Sequence, residues 1–241
     1  DNYLDLMRAR REQILERFYA ALDRAGRPHD AARLIAVSKT VGVDETVAAI
    51  QAGYRHFAEN RPQELVRKLT GLAEHPELPE VRFDMIGNLQ TNKIKKVLGR
   101  ASLIQSVDSE HLLAAIEREA AKAGLVQNIL LEVNIGGEES KSGVSPEQLW
   151  PLLDAAAAQE HLRVCGLMAI PPVNDDDAQN RAYLAAVHKL FVQAGERGYA
   201  NVKMETLSMG MSGDYENAIR EGATLVRIGT AIYGERDYSK K

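Results

Sequence analysis

Short runs of apolar and β-branched residues punctuate the chain at 34–37, 56–58, 83–86, 103–105, 129–133, 164–169, 204–207 and 225–228. Between successive runs the apolar positions take up helical spacing. Val47, Ala48 and Ile50 follow Asp44 and stop at Gly53, while Ile94, Val97 and Leu98 follow Thr91 and stop at Gly99. Ser145-Pro146-Glu147 sets a hydroxyl N-cap ahead of a proline in the first turn, and Asp108 and the cluster at 174–177 are expected to cap helices over 112–123 and 182–191. An amphipathic stretch from Leu4 to about Ala25 precedes the first run and reads as an additional helix.

Strands that alternate with helices pair in parallel through right-handed crossovers, and unbroken apolar runs suit strands covered on both faces. Each unit of roughly 30 residues has the size of a βαβ element. Eight parallel strands can close into a barrel without edges, whereas an open sheet more often has about five or six strands. The pattern therefore predicts an α/β fold, a (β/α)8 TIM barrel with an extra N-terminal helix. No repeat, low-complexity stretch or Pro/Gly/Ser linker divides residues 1–241, so one domain is expected.

Composition narrows the function classes. With 30 basic and 34 acidic residues the formal charge is −4 and no basic tract stands out, which argues against nucleic acid as a partner. Apolar residues make up 45% of the chain, yet no run of about 18 of them exists to cross a bilayer, so no membrane association is expected. Cys165 is the sole cysteine, which excludes an internal disulfide or a thiolate metal cluster and favours a cytoplasmic setting. His29, His56, His75, His111, His161 and His188 show no metal-ligand spacing, and no metal site is expected.

A barrel of this kind keeps its chemistry at the C-terminal ends of the strands. Lys39 follows the first run directly, where low-dielectric walls would lower its pKa and make it a nucleophilic amine able to form a Schiff base; a surface lysine at a strand end would look the same. After the seventh and eighth runs come Ser208-Met209-Gly210-Met211-Ser212-Gly213-Asp214 and Arg227-Ile228-Gly229-Thr230. Barrels often bind phosphate in those two loops, and Gly210, Gly213 and Gly229 would let an anion approach the backbone amides, with Ser212 as N-cap of the helix that continues through Tyr215, Ala218 and Ile219. Glycines that only serve turns would give the same pattern. A lysine and an anion cradle across one barrel mouth describe a site for a phosphorylated carbonyl compound, either pyridoxal 5′-phosphate (PLP) or a phosphosugar held as in class I aldolases.

These residues resemble the YggS/PROSC family of PLP homeostasis proteins, with matching blocks along nearly the whole chain. They include Ile35-Ala36-Val37-Ser38-Lys39-Thr40, Phe57-Ala58-Glu59-Asn60, Ile86-Gly87-Asn88-Leu89-Gln90-Thr91-Asn92-Lys93, Asn134-Ile135-Gly136-Gly137, Gly166-Leu167-Met168, Leu207-Ser208-Met209-Gly210-Met211-Ser212 and Arg227-Ile228-Gly229-Thr230. The resemblance implies a fold-type III PLP barrel related to the N-terminal domain of alanine racemase, with Lys39 holding the cofactor as an internal aldimine. It implies that Ser212, Gly229 and Thr230 grip the phosphate, with Gly213 adding an amide. Arg227 would face the pyridine nitrogen and make the ring a poor electron sink. Asn60 is placed near the cofactor, and Met168 against the ring or simply in the core. The sequence departs from many relatives at Asp84, where they carry a histidine, so no role is transferred there.

Alanine racemases add a second acid/base from a further β-domain, which the residues after Gly234 would not suffice to build. The expectation is therefore a PLP carrier active in intracellular PLP homeostasis, monomeric, with PLP-dependent apoenzymes as recipients. The alternative is a PLP-dependent amino-acid racemase or lyase using Lys39.

Overall fold

The computed structural model describes residues 2–234; the segment 235–241, weighed above for a further domain, lies outside them. Helix α1 (Asn2–Arg24) is followed by eight strands, β1 (Arg33–Val37), β2 (His56–Glu59), β3 (Arg82–Met85), β4 (Ile104–Val107), β5 (Gln127–Val133), β6 (Leu162–Ala169), β7 (Val202–Met209) and β8 (Leu225–Ile228). All pair in parallel, and β8 pairs with β1 to close the barrel, with Ile35 opposite Arg227. The crossovers carry α2 (Val43–Ala52), α3 (Pro62–Leu72), α4 (Ile94–Val97), α5 (Glu110–Ala123), α6 (Pro146–Ala157), α7 (Asp177–Gly195) and α8 (Tyr215–Arg220), and α9 (Thr230–Tyr233) follows β8. Each anticipated run is a strand, with ends moved by up to a few residues because ladder pairing continues past the apolar stretch, as at Glu59 and Gln127.

The runs read as unbroken because each strand is buried on both faces, but the two faces differ. Ala36, Phe57, Phe83, Met85, Ile104, Leu131, Leu207, Val226 and Ile228 point outward into the layer shared with the helices. The lumen holds two smaller apolar clusters, one of Ile35, Val37, Ala58 and Leu225 and one of Leu103, Leu130, Cys165 and Met168. Buried Asp84, Gln105, Ser208 and Arg227 occupy the alternate positions of their strands.

The additional helix lies against α2, α8 and α9 through Met7, Ile14, Phe18, Ala21 and Leu22. Each such side chain contributes roughly 1.5 to 3 kcal/mol by burial. Beyond the helix, Arg27 Nη1 donates to the carbonyl of Ile219 at 2.7 Å, fixing the end of α8.

Two caps away from the barrel mouth's anion end differ from expectation. Ser109, not Asp108, caps α5 by accepting from the Leu112 amide, while Asp108 Oδ2 accepts from the Gly143 amide at 3.0 Å and ties down the β5–α6 loop. Gly42 occupies the N-cap of α2, leaving Asp44 in the first turn, where a carboxylate complements the helix dipole. Ser145 and Asp176 cap α6 and α7 as the sequence suggests.

Candidate functional site

Lys39 continues the alternation of β1 past its end: Ile35 and Val37 face the lumen, and Lys39 lies half-buried at its mouth. Its two neighbours fix its backbone. Ser38 points toward the helices, donating through Oγ to Glu59 Oε1 at 2.6 Å, while Lys68 Nζ from α3 donates to the same carboxylate oxygen at 2.8 Å and to the Ser38 carbonyl at 2.9 Å. Glu59 and Lys68 are both fully buried. On the other side Thr40 holds φ at 64°, the left-handed region that a β-branched residue rarely enters.

Two adjoining cavities open from this lysine, of about 200 Å³ and about 190 Å³, and share Val37, Lys39, Met211 and Arg227 in their walls. The first is completed by Ser212, Gly213, Gly229 and Thr230, and the second includes Asn60, Glu132 and Met168. All eight residues singled out from the sequence thus meet in one cleft.

Arg227 is 2% exposed; Nη1 donates to Ser208 Oγ at 2.5 Å and Nη2 to the Ala169 carbonyl at 3.1 Å. Burial pushes its pKa down to about 10, against the pull of the Asp214 and Glu132 carboxylates, so the guanidinium remains charged at neutral pH. Glu132 has the converse environment: burial, helped by the Asp108 charge, raises its pKa to about 7, and Arg227 opposes the rise. Glu132 is absent from the sequence-based candidates because it sits inside an apolar run. An acidic residue within a strand buried on both faces was the available signal.

The anion end is built differently from expectation in two respects. Asp214, not Ser212, holds the N-cap position of α8, and its Oδ1 accepts from the Met211 amide at 2.8 Å. Ser212 instead turns across to β8, its Oγ accepting from the Gly229 amide at 3.4 Å. Gly210 serves packing, not anion approach: its φ is 102°, and a Cβ there would lie 2.5 Å from that of Ala218. Gly87 has a similar function at the other cavity. A Cβ on it would fall 2.2 Å from the carbonyl oxygen of Asn60, so the β3 end can seat Asn60 only as glycine.

The donor set suits a small ring with an anionic arm. The described lining of the first cavity contains the Ser212 and Thr230 hydroxyls, two cationic side chains and the glycine-rich backbone, and no carboxylate. Met168, 1% exposed, both packs on Leu103, Leu130 and Cys165 and lines the second cavity, so its core and site roles coincide. Asp84 lies below the cleft and accepts from Gln105 Nε2 at 2.8 Å.

A closed parallel barrel with a lysine after β1 and an anion cradle after β7 and β8 belongs to a known class: a family model described as alanine racemase, N-terminal domain, matches residues 12–237. The chain is 41% identical over 229 residues to the pyridoxal phosphate homeostasis protein of Aquifex aeolicus (strain VF5), covering 95% of this chain and 98% of that protein. The chain belongs to the pyridoxal phosphate homeostasis protein family. Among solved structures, an unknown protein from Bifidobacterium adolescentis superposes with a TM-score of 0.91 at 37% identity, covering 96% of both chains. PipY of Synechococcus elongatus PCC7942, solved with PLP bound, superposes with a TM-score of 0.78 at 32% identity, covering 92% of this chain and 100% of that one.

Proposed function

We propose that this chain binds PLP in the cleft at the barrel mouth, with Lys39 Nζ taking its aldehyde as a Schiff base, and that it serves intracellular PLP homeostasis by buffering or delivering the cofactor. The observation that carries this reading is the meeting of Lys39, Arg227 and the Ser212–Thr230 end in one cleft. Ser212, Gly213, Gly229 and Thr230 would hold the phosphate, Asn60 and Met168 would border the ring, and Arg227 would face the pyridine nitrogen. PLP supplies a reactive aldehyde and an electron-accepting ring. Arg227, charged at neutral pH, withholds a proton from that ring and so disfavours carbanion chemistry. We further propose a single barrel domain acting as a cytoplasmic monomer, with PLP-dependent apoenzymes as recipients. The lone cysteine is consistent with that setting.

The test is the visible absorbance of purified protein loaded with PLP, before and after borohydride. A Schiff-base band that borohydride removes, and that Lys39→Ala never develops, supports the reading; an unchanged band in Lys39→Ala sinks it. One observation favours the racemase or lyase alternative: Glu132 lines the cleft with a pKa near 7, suited to general acid–base work. Exchange of an amino acid's α-proton in deuterium oxide, abolished by Glu132→Gln, would establish it.

A further inference from the structure

Arg227 is the innermost polar group of the cleft and also the end of a hydrogen-bonded chain that crosses the barrel. Its Nη1 donates to Ser208 Oγ on β7 at 2.5 Å. Ser208 Oγ in turn donates to Gln105 Oε1 on β4 at 2.7 Å, and Gln105 Nε2 donates to Asp84 Oδ2 on β3 at 2.8 Å. The second oxygen of Asp84 lies 2.9 Å from His56 Nε2 on β2. Ser208, Gln105 and Asp84 are all fully buried.

The direction of this chain is determined by chemistry. A guanidinium can only donate, so Ser208 must accept from it and pass its own proton onward; Gln105 must then present its oxygen to Ser208 and its amide to the carboxylate. The reverse amide orientation would set Gln105 oxygen against a carboxylate oxygen. Every donor therefore points away from the cleft and ends on Asp84. Nothing in the closure of the barrel requires such a path, since volume-matched apolar residues would fill the same lumen positions.

We infer that Asp84 is a positioning residue for Arg227: through Gln105 and Ser208 it fixes the guanidinium in the cleft. The inference rests on the reading that Arg227 faces the ring of bound PLP. It adds the lumen of the barrel to the site and makes three strands away from the Lys39 end, β3, β4 and β7, determinants of how the cofactor is held.

A double-mutant cycle with PLP as the probe tests it. Dissociation constants and visible band positions are compared for the unaltered chain, Gln105→Met, Arg227→Gln and the double variant, with ligand-free thermal midpoints as the check of folding. Gln105→Met preserves volume and cuts the chain midway. It should weaken PLP binding about tenfold when Arg227 is present and by less than about twofold when residue 227 is already Gln, and it should move the band in the direction that Arg227→Gln moves it. An equal loss in both backgrounds, or a loss without the band shift, overturns the relay and leaves the PLP reading intact. Failure of the unaltered chain to bind PLP overturns both. Ser208→Ala removes a single atom from the same path and replaces Gln105→Met in the cycle if that variant does not fold.

Discussion

The opposed environments of Glu132 and Arg227 make the cleft responsive to pH at one group and indifferent at the other. Glu132, at about 7 in the folded chain against an ordinary 4.5, keeps a proton that the unfolded chain loses between those values. Stability from this group is full below pH 4.5 and falls as pH rises through 7, by on the order of 3 kcal/mol. Thermal midpoints of the ligand-free protein should drop across that window, and Glu132→Gln should flatten the profile. At the other end of the cleft, Ser212→Ala and Thr230→Ala should each weaken PLP retention by roughly 10- to 100-fold, the loss of one hydrogen bond to a charged group worth about 1.5 to 3 kcal/mol. Equilibrium dialysis measures it, and unchanged affinity would dismiss the phosphate assignment. Lys39 and Ser212 could be picked out because they follow their strands, whereas Arg227 lies within β8 and is reached through the family resemblance. Glu132, Asp84 and Gln105 could not, since a polar residue facing a lumen interrupts an apolar run without announcing which way it points until the barrel is closed.

The element boundaries teach a related lesson. Helix starts with two adjacent capable residues, such as Asp108 and Ser109, are decided by whichever side chain a distant loop claims; the Gly143 amide claims Asp108 and leaves Ser109 to cap. The same kind of tertiary claim joins α3 to β1 and β2. Lys68 sits on α3, and its ammonium is the buried clamp on Glu59 and Ser38. Lys68→Met should lower stability by about 3 to 5 kcal/mol, because Glu59 is left buried and unpaired, whereas combining it with Glu59→Leu should return much of that loss. Urea unfolding of the three variants tests the expectation, and the single variant should also loosen the placement of Lys39.

Taken together, the helices outside the barrel grip the anion end from behind. Helix α1 contacts α8 and α9, with Arg10 Nη1 donating to the Ile232 carbonyl at 3.3 Å and Arg24 pairing with Glu216 at 3.2 Å. Phe18→Ala should cost about 3 to 5 kcal/mol of stability and raise the rate of PLP release, since α8 and α9 adjoin the Ser212 and Thr230 loops. Stopped-flow transfer of PLP to an apoenzyme would resolve the second effect.

The β1–β8 seam is where the two ends of the site are joined: Ile35 stands opposite Arg227, so Lys39 and the anion loops become neighbours only when the last strand docks on the first. During synthesis on the ribosome, a chain lacking β8 holds the amine and the Ser212 loop but not the Gly229–Thr230 half of the anion cradle. Such contacts between remote segments form late and slowly. Capture of the ligand would then mark completion of the barrel, and a nascent or seam-opened chain would release it.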